Sequence, residues 1–438
     1  MKRDIDIVLE EWSQKPVKKV LLLRGARQVG KTYSIRKLGQ SFDNFLEINF
    51  EMDEIAHQFF DDSLEAKSIC GKLSAYYGKR IIPRQTLLFF DEVQACTKAL
   101  RSLRFFQEQM PELHVVAAGS LLEFAIKEIP SFGVGRITSR FLFPLSFYEF
   151  LQATGNELLQ EEIKAASPSN PLNNALHKKA IEQYRLYQIL GGMPAVVDAY
   201  VNRGDFLECR GLLDDLILGL RDDFGKYGGK SDATKLFETF ESVASQAGKK
   251  FKYSRISQEF PGKVYKTSLE LLCLAGLVYK VNHSSCNGPP LGGEIDIKKF
   301  KALCFDVGIY QRMSGSKLSE LISMNSIDMI NKGSCAEVFV GNELVKHSMA
   351  SIYPRLFYWH REAKSSNAEI DYVFQKSNTI IPVEVKAGTK GQMQSMFIFL
   401  KEKRLNCGIR LSMENFGEFG DIKIYPLYAV QNLFQDGD

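Results

Sequence analysis

The chain has 438 residues, 45% of them hydrophobic and 25% charged, with 56 Lys and Arg against 52 Asp and Glu. This length predicts two to four domains, and the composition is that of globular proteins, which excludes disordered and fibrous chains. A net charge of +4 is too small to indicate a nucleic-acid partner for the whole chain. The eight cysteines stand singly, without CxxC spacing, and no apolar run resembles a signal peptide or membrane span. These features predict a cytoplasmic protein with reduced thiols and no membrane contact.

Residues 17–32, VKKVLLLRGARQVGKT, predict a strand, then a loop bounded by glycines, then the start of a helix. The spacing fits the phosphate-binding loop GxxxxGK[ST], and the flanking strand and helix are the context that this motif requires. Loop N–H groups and the helix start would bind the phosphates of ATP, with Lys31 on the β and γ phosphates and the Thr32 hydroxyl on Mg²⁺. The predicted cofactor-binding residues of this loop are Gly25, Ala26, Arg27, Gln28, Val29, Gly30, Lys31 and Thr32.

Two further predicted strands end in polar residues. In TLLFFDEVQ, residues 86–94, an apolar run is followed by two adjacent carboxylates. This pattern is typical of a buried parallel strand that ends beside a nucleotide crevice. Asp91 is predicted to hold Mg²⁺, and Glu92 to orient and deprotonate the attacking water. The run LHVVAAG, residues 113–119, precedes Ser120, which is a candidate sensor of the γ phosphate, a helix N-cap, or both.

Two arginines follow in GVGRITSRFLFPLSFYEF, residues 133–150. Arg136 or Arg140 could act as an arginine finger, in cis or from a neighbouring subunit, and the alternative is that both are surface arginines. Pro144 interrupts the run and marks the end of the first predicted domain, residues 1–150.

The segments GARQVGKT, LLFFDEVQ, VVAAGS and GRITSRFLFPLSFYEF, with the later LYQILGGMPAVV, lie in this order along the chain. The combination resembles the AAA-type ATPases of bacteria and archaea that carry a C-terminal domain of unknown function. The resemblance implies ATP binding by an AAA-like or STAND-like module, and it implies no particular biological task.

The middle of the chain is predicted to be helical. Residues 151–232 show helical spacing of apolar positions and are predicted to form a lid, and the order of runs in residues 233–290 resembles a winged helix. Between residues 247 and 267, six basic residues and one acid give a local charge of 6 − 1 = +5. This surface could contact DNA phosphates without reading sequence, or the module could serve only for packing and coupling.

The last predicted domain, residues 291–438, carries a second constellation. Two apolar strands, IDYVF and IIPVEVK, are predicted to pair as a hairpin, so that Asp371, Glu384 and Lys386 share a face. This pattern resembles the PD-(D/E)xK nuclease motif, although Ile370 stands where a proline is usual. Asp371 and Glu384 would hold Mg²⁺, with Lys386 positioning a water and Glu337 as a possible extra acid. The alternatives are a structural ion pair or an inactive nuclease-like fold.

The sequence therefore predicts an α/β P-loop core with a helical lid, a winged helix and a restriction-endonuclease-like terminal domain, with ATP and Mg²⁺ as cofactors. Three functions stay open. The first is an ATPase acting as a nucleotide-driven switch on DNA, with closure of the lid and winged helix over ATP as its output. The second is an ATP-gated nuclease, and the third is an ATP-binding module that docks a protein partner. The oligomeric state is not predicted, and a homo-oligomer is one possibility.

Overall fold

A computed structural model describes residues 1–434 apart from 17, 128, 130–134, 229, 258, 316–331, 349–352, 362–366 and 389–391. The chain divides between Phe143 and Pro144 into two compact units, here called the N-terminal and the C-terminal unit. No helix in these described ranges is both long enough and apolar enough to cross a bilayer.

The N-terminal unit is built on a five-stranded sheet whose paired strands all run parallel, in the order β2-β3-β4-β1-β5. On the central strands, the residues that point to either face of the sheet are buried, as in Leu21–Leu23 and Leu87–Phe90. Both faces of the sheet are therefore covered, which is typical of α/β folds. Its strands are β1 Val20–Arg24, β2 Asn44–Asn49, β3 Thr86–Asp91, β4 His114–Ala118 and β5 Ile137–Phe141.

Helices flank this sheet, and their apolar residues form one core with it. On one face the core joins Val20 and Leu22 of β1 to residues such as Leu103 and Phe106. The observed parallel sheet flanked by helices confirms the predicted P-loop architecture of this part of the chain. The helices are α1 Asp4–Gln14, α2 Lys31–Gly39, α3 Ile55–Gln58, α4 Ala66–Tyr77, α5 Thr97–Gln109 and α6 Leu122–Lys127.

The first part of the C-terminal unit is helical, as the apolar spacing predicts. Pro194 stands at the start of one helix, where its missing N–H costs nothing, and Gly204 ends the same helix in a left-handed conformation. The helices are α7 Phe147–Ala153, α8 Glu157–Ala165, α9 Asn174–Leu190, α10 Pro194–Arg203, α11 Phe206–Gly228, α12 Lys230–Ser245 and α13 Gly262–Leu274.

The region predicted to be a winged helix differs from the expectation in two ways. Between α12 and α13, where a winged helix has its second helix, the described residues form a single 3-10 turn over Tyr253–Arg255. Its strands β6 (Val278–Ser284) and β7 (Ile295–Cys304) pair as an antiparallel hairpin that spans the predicted boundary at residue 290. β6 is buried along much of its length and also pairs in parallel with a later strand. The hairpin is therefore part of the terminal sheet rather than a separate wing.

That terminal sheet has eight strands in the order β12-β13-β11-β10-β9-β8-β6-β7. β9 and β10 form the predicted hairpin, in which Val383 lies opposite Tyr372. The remaining strands are β8 Leu356–His360, β9 Glu369–Lys376, β10 Thr379–Val385, β11 Gly408–Ser412, β12 Gly417–Phe419 and β13 Ile422–Pro426. The helices that accompany them are α14 Val307–Met313, α15 Lys332–Lys346 and α16 Gln394–Lys403.

A buried polar network ties the start of the C-terminal unit to its later helices. The Leu145 N–H donates to the Gly192 carbonyl at 2.7 Å, and Lys346 Nζ donates to the Leu145 carbonyl at 3.0 Å. The Gly192 N–H donates in turn to Asp306 Oδ2 at 2.7 Å. The PLSFYEF and GG-x-P segments therefore meet inside this unit, where buried polar groups need such partners.

Candidate functional site

The phosphate loop follows β1 with the backbone that its glycines permit. Gly25 has φ +146°, and a Cβ on it would lie 2.1 Å from the Leu142 carbonyl oxygen. Leu142 is held there because its N–H donates to the Arg24 carbonyl at 2.8 Å. Gly30, with φ +99°, begins α2 in a left-handed conformation. Side chains at these positions would distort the loop, which explains the glycine spacing.

Lys31 lies inside the loop. Its side chain is buried, and Nζ donates to the carbonyls of Gly25 at 2.9 Å and Ala26 at 2.7 Å. Burial lowers the pKa of Lys31 to about 8, although the nearby carboxylates of Glu92 and Asp91 oppose this shift. The lysine therefore remains largely charged at neutral pH, with its ammonium group held by carbonyls of its own loop.

Thr32 and Asp91 come together as the sequence predicts for a metal pair. The Thr32 hydroxyl donates to Asp91 Oδ2 at 3.1 Å, and Asp91 Oδ1 accepts from the Glu92 N–H at 3.1 Å. Burial and the negative charge of Glu92 raise the pKa of Asp91 to about 6. The Thr32 hydroxyl at the start of α2 and the Asp91 carboxylate at the end of β3 supply oxygens of the type that Mg²⁺ prefers.

Glu92 is held in a defined orientation. Its backbone is left-handed, with φ +45°, and its Oε2 atom accepts from Gln94 Nε2 at 2.6 Å, from the Ser120 N–H at 3.1 Å and from the Ser120 hydroxyl at 3.2 Å. Ser120, predicted as a phosphate sensor, thus contacts the carboxylate of Glu92. Gln94 was missed by the sequence reasoning, although it lies in the same DEVQ segment.

Arg3 is a second residue that the sequence does not reveal. It is buried at the start of α1, and its guanidinium donates to the Val29 carbonyl at 3.0 Å and the Phe143 carbonyl at 2.7 Å. Asp6 accepts from the Arg3 N–H and pairs with Lys37 of α2 at 2.7 Å. The amino-terminal helix therefore braces the phosphate loop, through contacts between residues too distant in sequence to form a local motif.

The two candidate arginine fingers have partners within the N-terminal unit. Arg136, which is half exposed, forms an ion pair with Glu108 of α5. Arg140 on β5 donates to the Ser139 carbonyl at 2.9 Å. A finger role for either arginine stays a prediction.

In the C-terminal unit, the predicted acid and lysine residues are only partly brought together. Glu384 Oε1 lies 2.7 Å from Lys386 Nζ, and Asp371 Oδ2 accepts from the Val385 N–H at 2.8 Å. Glu337 and Asp371 contact a different lysine, Lys301 of β7. Within the described part of the chain, no set of three or more acidic, histidine or cysteine side chains is arranged to hold a metal ion.

Sequence reasoning missed two residues of the cluster around Asp371. Glu369 lies two residues before Asp371 on β9, so the two-residue period of a strand could have revealed it. Lys301 could not be found in this way, because it is brought to β9 only by the folding of distant strands.

The chain matches three family models. Residues 17–151 match a family described as AAA domain. Residues 181–320 and 332–430 match two families, each described as a domain of unknown function (DUF8612 and DUF4143, respectively). The first match and the loop geometry together support an AAA-type P-loop ATPase domain in the N-terminal unit. The other two matches carry no activity.

Among solved structures, the chain is similar to a Walker-type ATPase of Pyrococcus abyssi, with 16% identity over 72% of this chain and 95% of that chain and a TM-score of 0.43. It also matches the Aeropyrum pernix ORC1 protein in complex with DNA, with 9% identity, 72% and 93% coverage and a TM-score of 0.30. Drosophila ORC bound to DNA matches with 13% identity, 62% and 72% coverage and a TM-score of 0.25. No curated protein matches the chain.

Proposed function

We propose that the protein is a Mg²⁺-dependent ATPase that acts as a nucleotide-driven switch. The observation that carries this proposal is the contact of the Thr32 hydroxyl with Asp91, directly beside the buried ammonium of Lys31. In such an arrangement Thr32 and Asp91 hold Mg²⁺, and Lys31 and the N–H groups of the loop bind the phosphates of ATP. Mg²⁺ would neutralise charge on the transferred phosphoryl group.

Glu92 is proposed to orient and deprotonate the attacking water. It adjoins Asp91 without sharing the Thr32 contact, so that its carboxylate is available as a base next to the metal site. The bonds from Ser120 and Gln94 aim this carboxylate, and rearrangement of them on nucleotide binding would give the switch its two states. Arg136 and Arg140 remain the candidates for an arginine finger.

The affinity for Mg²⁺-nucleotide should fall as the pH is lowered through about 6. Asp91 binds Mg²⁺ only when ionised, and its pKa is raised to about 6. In the folded protein without metal, Asp91 therefore takes up a proton at a higher pH than an ordinary Asp does, and that proton competes with Mg²⁺. At a pH about one unit below the pKa, the affinity should be about tenfold lower than at a pH well above it. Titration with a fluorescent ATP analogue over this pH range measures it.

A terminal phosphate also titrates near pH 6, so the variant Asp91→Asn is the necessary comparison. It should bind Mg²⁺-nucleotide weakly and lack the part of the pH dependence that belongs to the carboxyl. Asp62→Asn, at a well-exposed position on the same unit, should behave as wild type. Identical pH profiles for wild type and Asp91→Asn would remove Asp91 from the metal site.

DNA association is the proposed setting of the switch. Of the six basic side chains between residues 247 and 267, five are exposed, and Lys250 is half buried with Nζ 3.3 Å from His360 Nδ1. Exposed lysine and arginine side chains of this density favour contact with phosphates, which is independent of base sequence. The five are Lys249, Lys252, Arg255, Lys263 and Lys266.

Reversing three of these charges should weaken DNA binding at every sequence. The combined variant Lys252→Glu, Arg255→Glu, Lys263→Glu should lose affinity for duplex DNA. Its plot of log affinity against log salt should become shallower by about three units, because about one counterion is released per phosphate contact. Fluorescence anisotropy over a salt series measures both quantities, and ATP turnover with and without DNA tests coupling.

The matched control reverses three exposed charges on α9, as Lys178→Glu, Lys179→Glu, Arg185→Glu. This control has the same change in net charge and should keep most of the affinity. Equal losses in both variants would mean that only the net charge of the chain matters. Absence of DNA binding by wild type at low salt would favour the alternative, an ATP-dependent module that docks a protein partner.

A further inference from the structure

A lysine lies against the two acidic residues of β9, Glu369 and Asp371. The Lys301 side chain, on β7, is only 2% exposed, and its Nζ atom is 3.1 Å from Glu337 Oε2 on α15. It is also 2.5 Å from Glu369 Oε1 and 3.5 Å from Asp371 Oδ1. Acidic side chains from a helix and a strand therefore meet at one buried cation that the chain itself supplies.

Three acidic side chains surround a single ammonium group in this cluster. Burial by itself would favour a neutral amine, but the three acidic groups outweigh it and raise the pKa of Lys301 well above its ordinary value. Burial and the charge of Asp371 raise the pKa of Glu337 to about 8. The three acids therefore hold Lys301 as an ammonium group.

Both carboxylate oxygens of Asp371, the acid shared with the predicted metal site, face protein donors. Asp371 Oδ1 faces Lys301, and its Oδ2 accepts from the Val385 N–H at 2.8 Å. Glu384 Oε1 lies 2.7 Å from Lys386 Nζ, and its buried Oε2 atom has no hydrogen-bond partner within the described part of the chain. A divalent cation bound to Asp371 would have to compete with the Lys301 ammonium for that carboxylate.

We propose that Lys301 is the resident cation of this site and replaces the divalent metal that Asp371, Glu384 and Lys386 would otherwise hold. The ammonium fixes β7, β9 and α15 to one another, as a structural metal would. An ammonium group has no lone pair to accept a proton and no open coordination position for a water. The C-terminal unit therefore serves as a binding or coupling domain and does not cleave phosphodiesters.

The test is to remove the internal cation and offer a metal in its place. Lys301→Ala leaves the three acids unpaired, so its unfolding midpoint should fall markedly in metal-free buffer and be largely restored by Mn²⁺. The background variant Trp12→Phe leaves Trp359, a buried residue of β8 in the same unit, as the only tryptophan. Its fluorescence reports the unfolding of the C-terminal unit, so Mn²⁺ bound at the nucleotide site does not dominate the measurement.

Two controls make the result specific. Lys301→Ala combined with Asp371→Asn should lose the Mn²⁺ rescue, and Lys301→Arg, which keeps the charge, should show no response to Mn²⁺. The Trp12→Phe parent, which keeps Lys301, should also show no Mn²⁺-dependent shift. A shift of this parent that Asp371→Asn abolishes would overturn the proposal, as would a folded Lys301→Ala protein that ignores Mn²⁺.

If Lys301→Ala does not fold even with Mn²⁺, the wild-type protein still decides the question. Incubation with Mg²⁺ or Mn²⁺ and single- or double-stranded DNA and RNA, with and without ATP, should give no cleavage. Cleavage by wild type that is lost in Asp371→Ala or Lys386→Ala would overturn the proposal and support the nuclease hypothesis. Neither outcome bears on ATP hydrolysis by the N-terminal unit.

Discussion

Replacing Glu92 by Gln should reduce the rate of ATP hydrolysis by about 10²–10⁴-fold, the usual contribution of a general base. Nucleotide affinity should stay within a few-fold of wild type, because Lys31, Thr32 and Asp91 keep their positions. A glutamine oxygen can still accept from Ser120, so the loop should not rearrange. Phosphate release under saturating ATP and titration with a fluorescent analogue measure the two quantities separately.

Two reference variants complete that experiment. Lys31→Ala should lose binding itself, which distinguishes a binding defect from a chemical one. Gln94→Ala removes one of the donors that aim Glu92 and should lower turnover less than Glu92→Gln does, with little change in affinity. Wild-type turnover in Glu92→Gln would exclude Glu92 as the base.

The contacts of the proposed nucleotide site could be predicted where they are local in sequence. Lys31 and Thr32 belong to one short loop, and Asp91 ends a strand whose apolar run is evident from the sequence. The parallel arrangement then brings the ends of these strands to the same edge. Arg3 braces the same loop but could not be predicted, because no periodicity links the amino terminus to Val29 and Phe143.

In the C-terminal unit the hairpin could be predicted, but its chemical partner could not. Alternation along β9 and β10 predicts that these strands pair as a hairpin, and the structure has this pairing. The lysine that meets Asp371, however, is not Lys386 of the neighbouring strand but Lys301, from the far end of the sheet order. A strand pattern fixes which residues share a face and leaves open which distant side chain covers that face.

The resemblance to AAA-type ATPases rested partly on residues that serve the fold of the C-terminal unit. In the PLSFYEF segment, Ser146 accepts from the Glu149 N–H and so caps α7, and the Phe147 N–H donates to Glu343 Oε2 at 3.1 Å. Lys346 and His347 lie 3.2 Å from the same carboxylate. These partners lie on α15 or directly after it, far along the chain, so a sequence pattern can signal the segment without revealing what it contacts.

Asp306→Ala should be among the most destabilising single changes in the C-terminal unit. The buried carboxylate accepts from three backbone N–H groups, those of Gly192 at 2.7 Å, Gly308 at 2.9 Å and Ile309 at 3.1 Å. It therefore caps α14 and anchors the GG-x-P segment at once. Leaving these donors without acceptors should cost about 3–5 kcal/mol, since each buried unsatisfied group costs about 1–3 kcal/mol and partial hydration recovers some of it.

Two variants separate the buried network from ordinary capping. Asp306→Asn should be intermediate, because one oxygen can still accept from Gly308 and Ile309 while the amide group cannot accept from Gly192. Asp205 caps α11 in the same way, through Leu207 and Glu208, but at an exposed position, so Asp205→Ala should cost only about 0.5–2 kcal/mol. Urea midpoints read from Trp359 in the Trp12→Phe background give the order. Equal losses for Asp306→Ala and Asp205→Ala would mean that the contact with Gly192 contributes nothing beyond the cap, because the first change removes both and the second removes a cap alone.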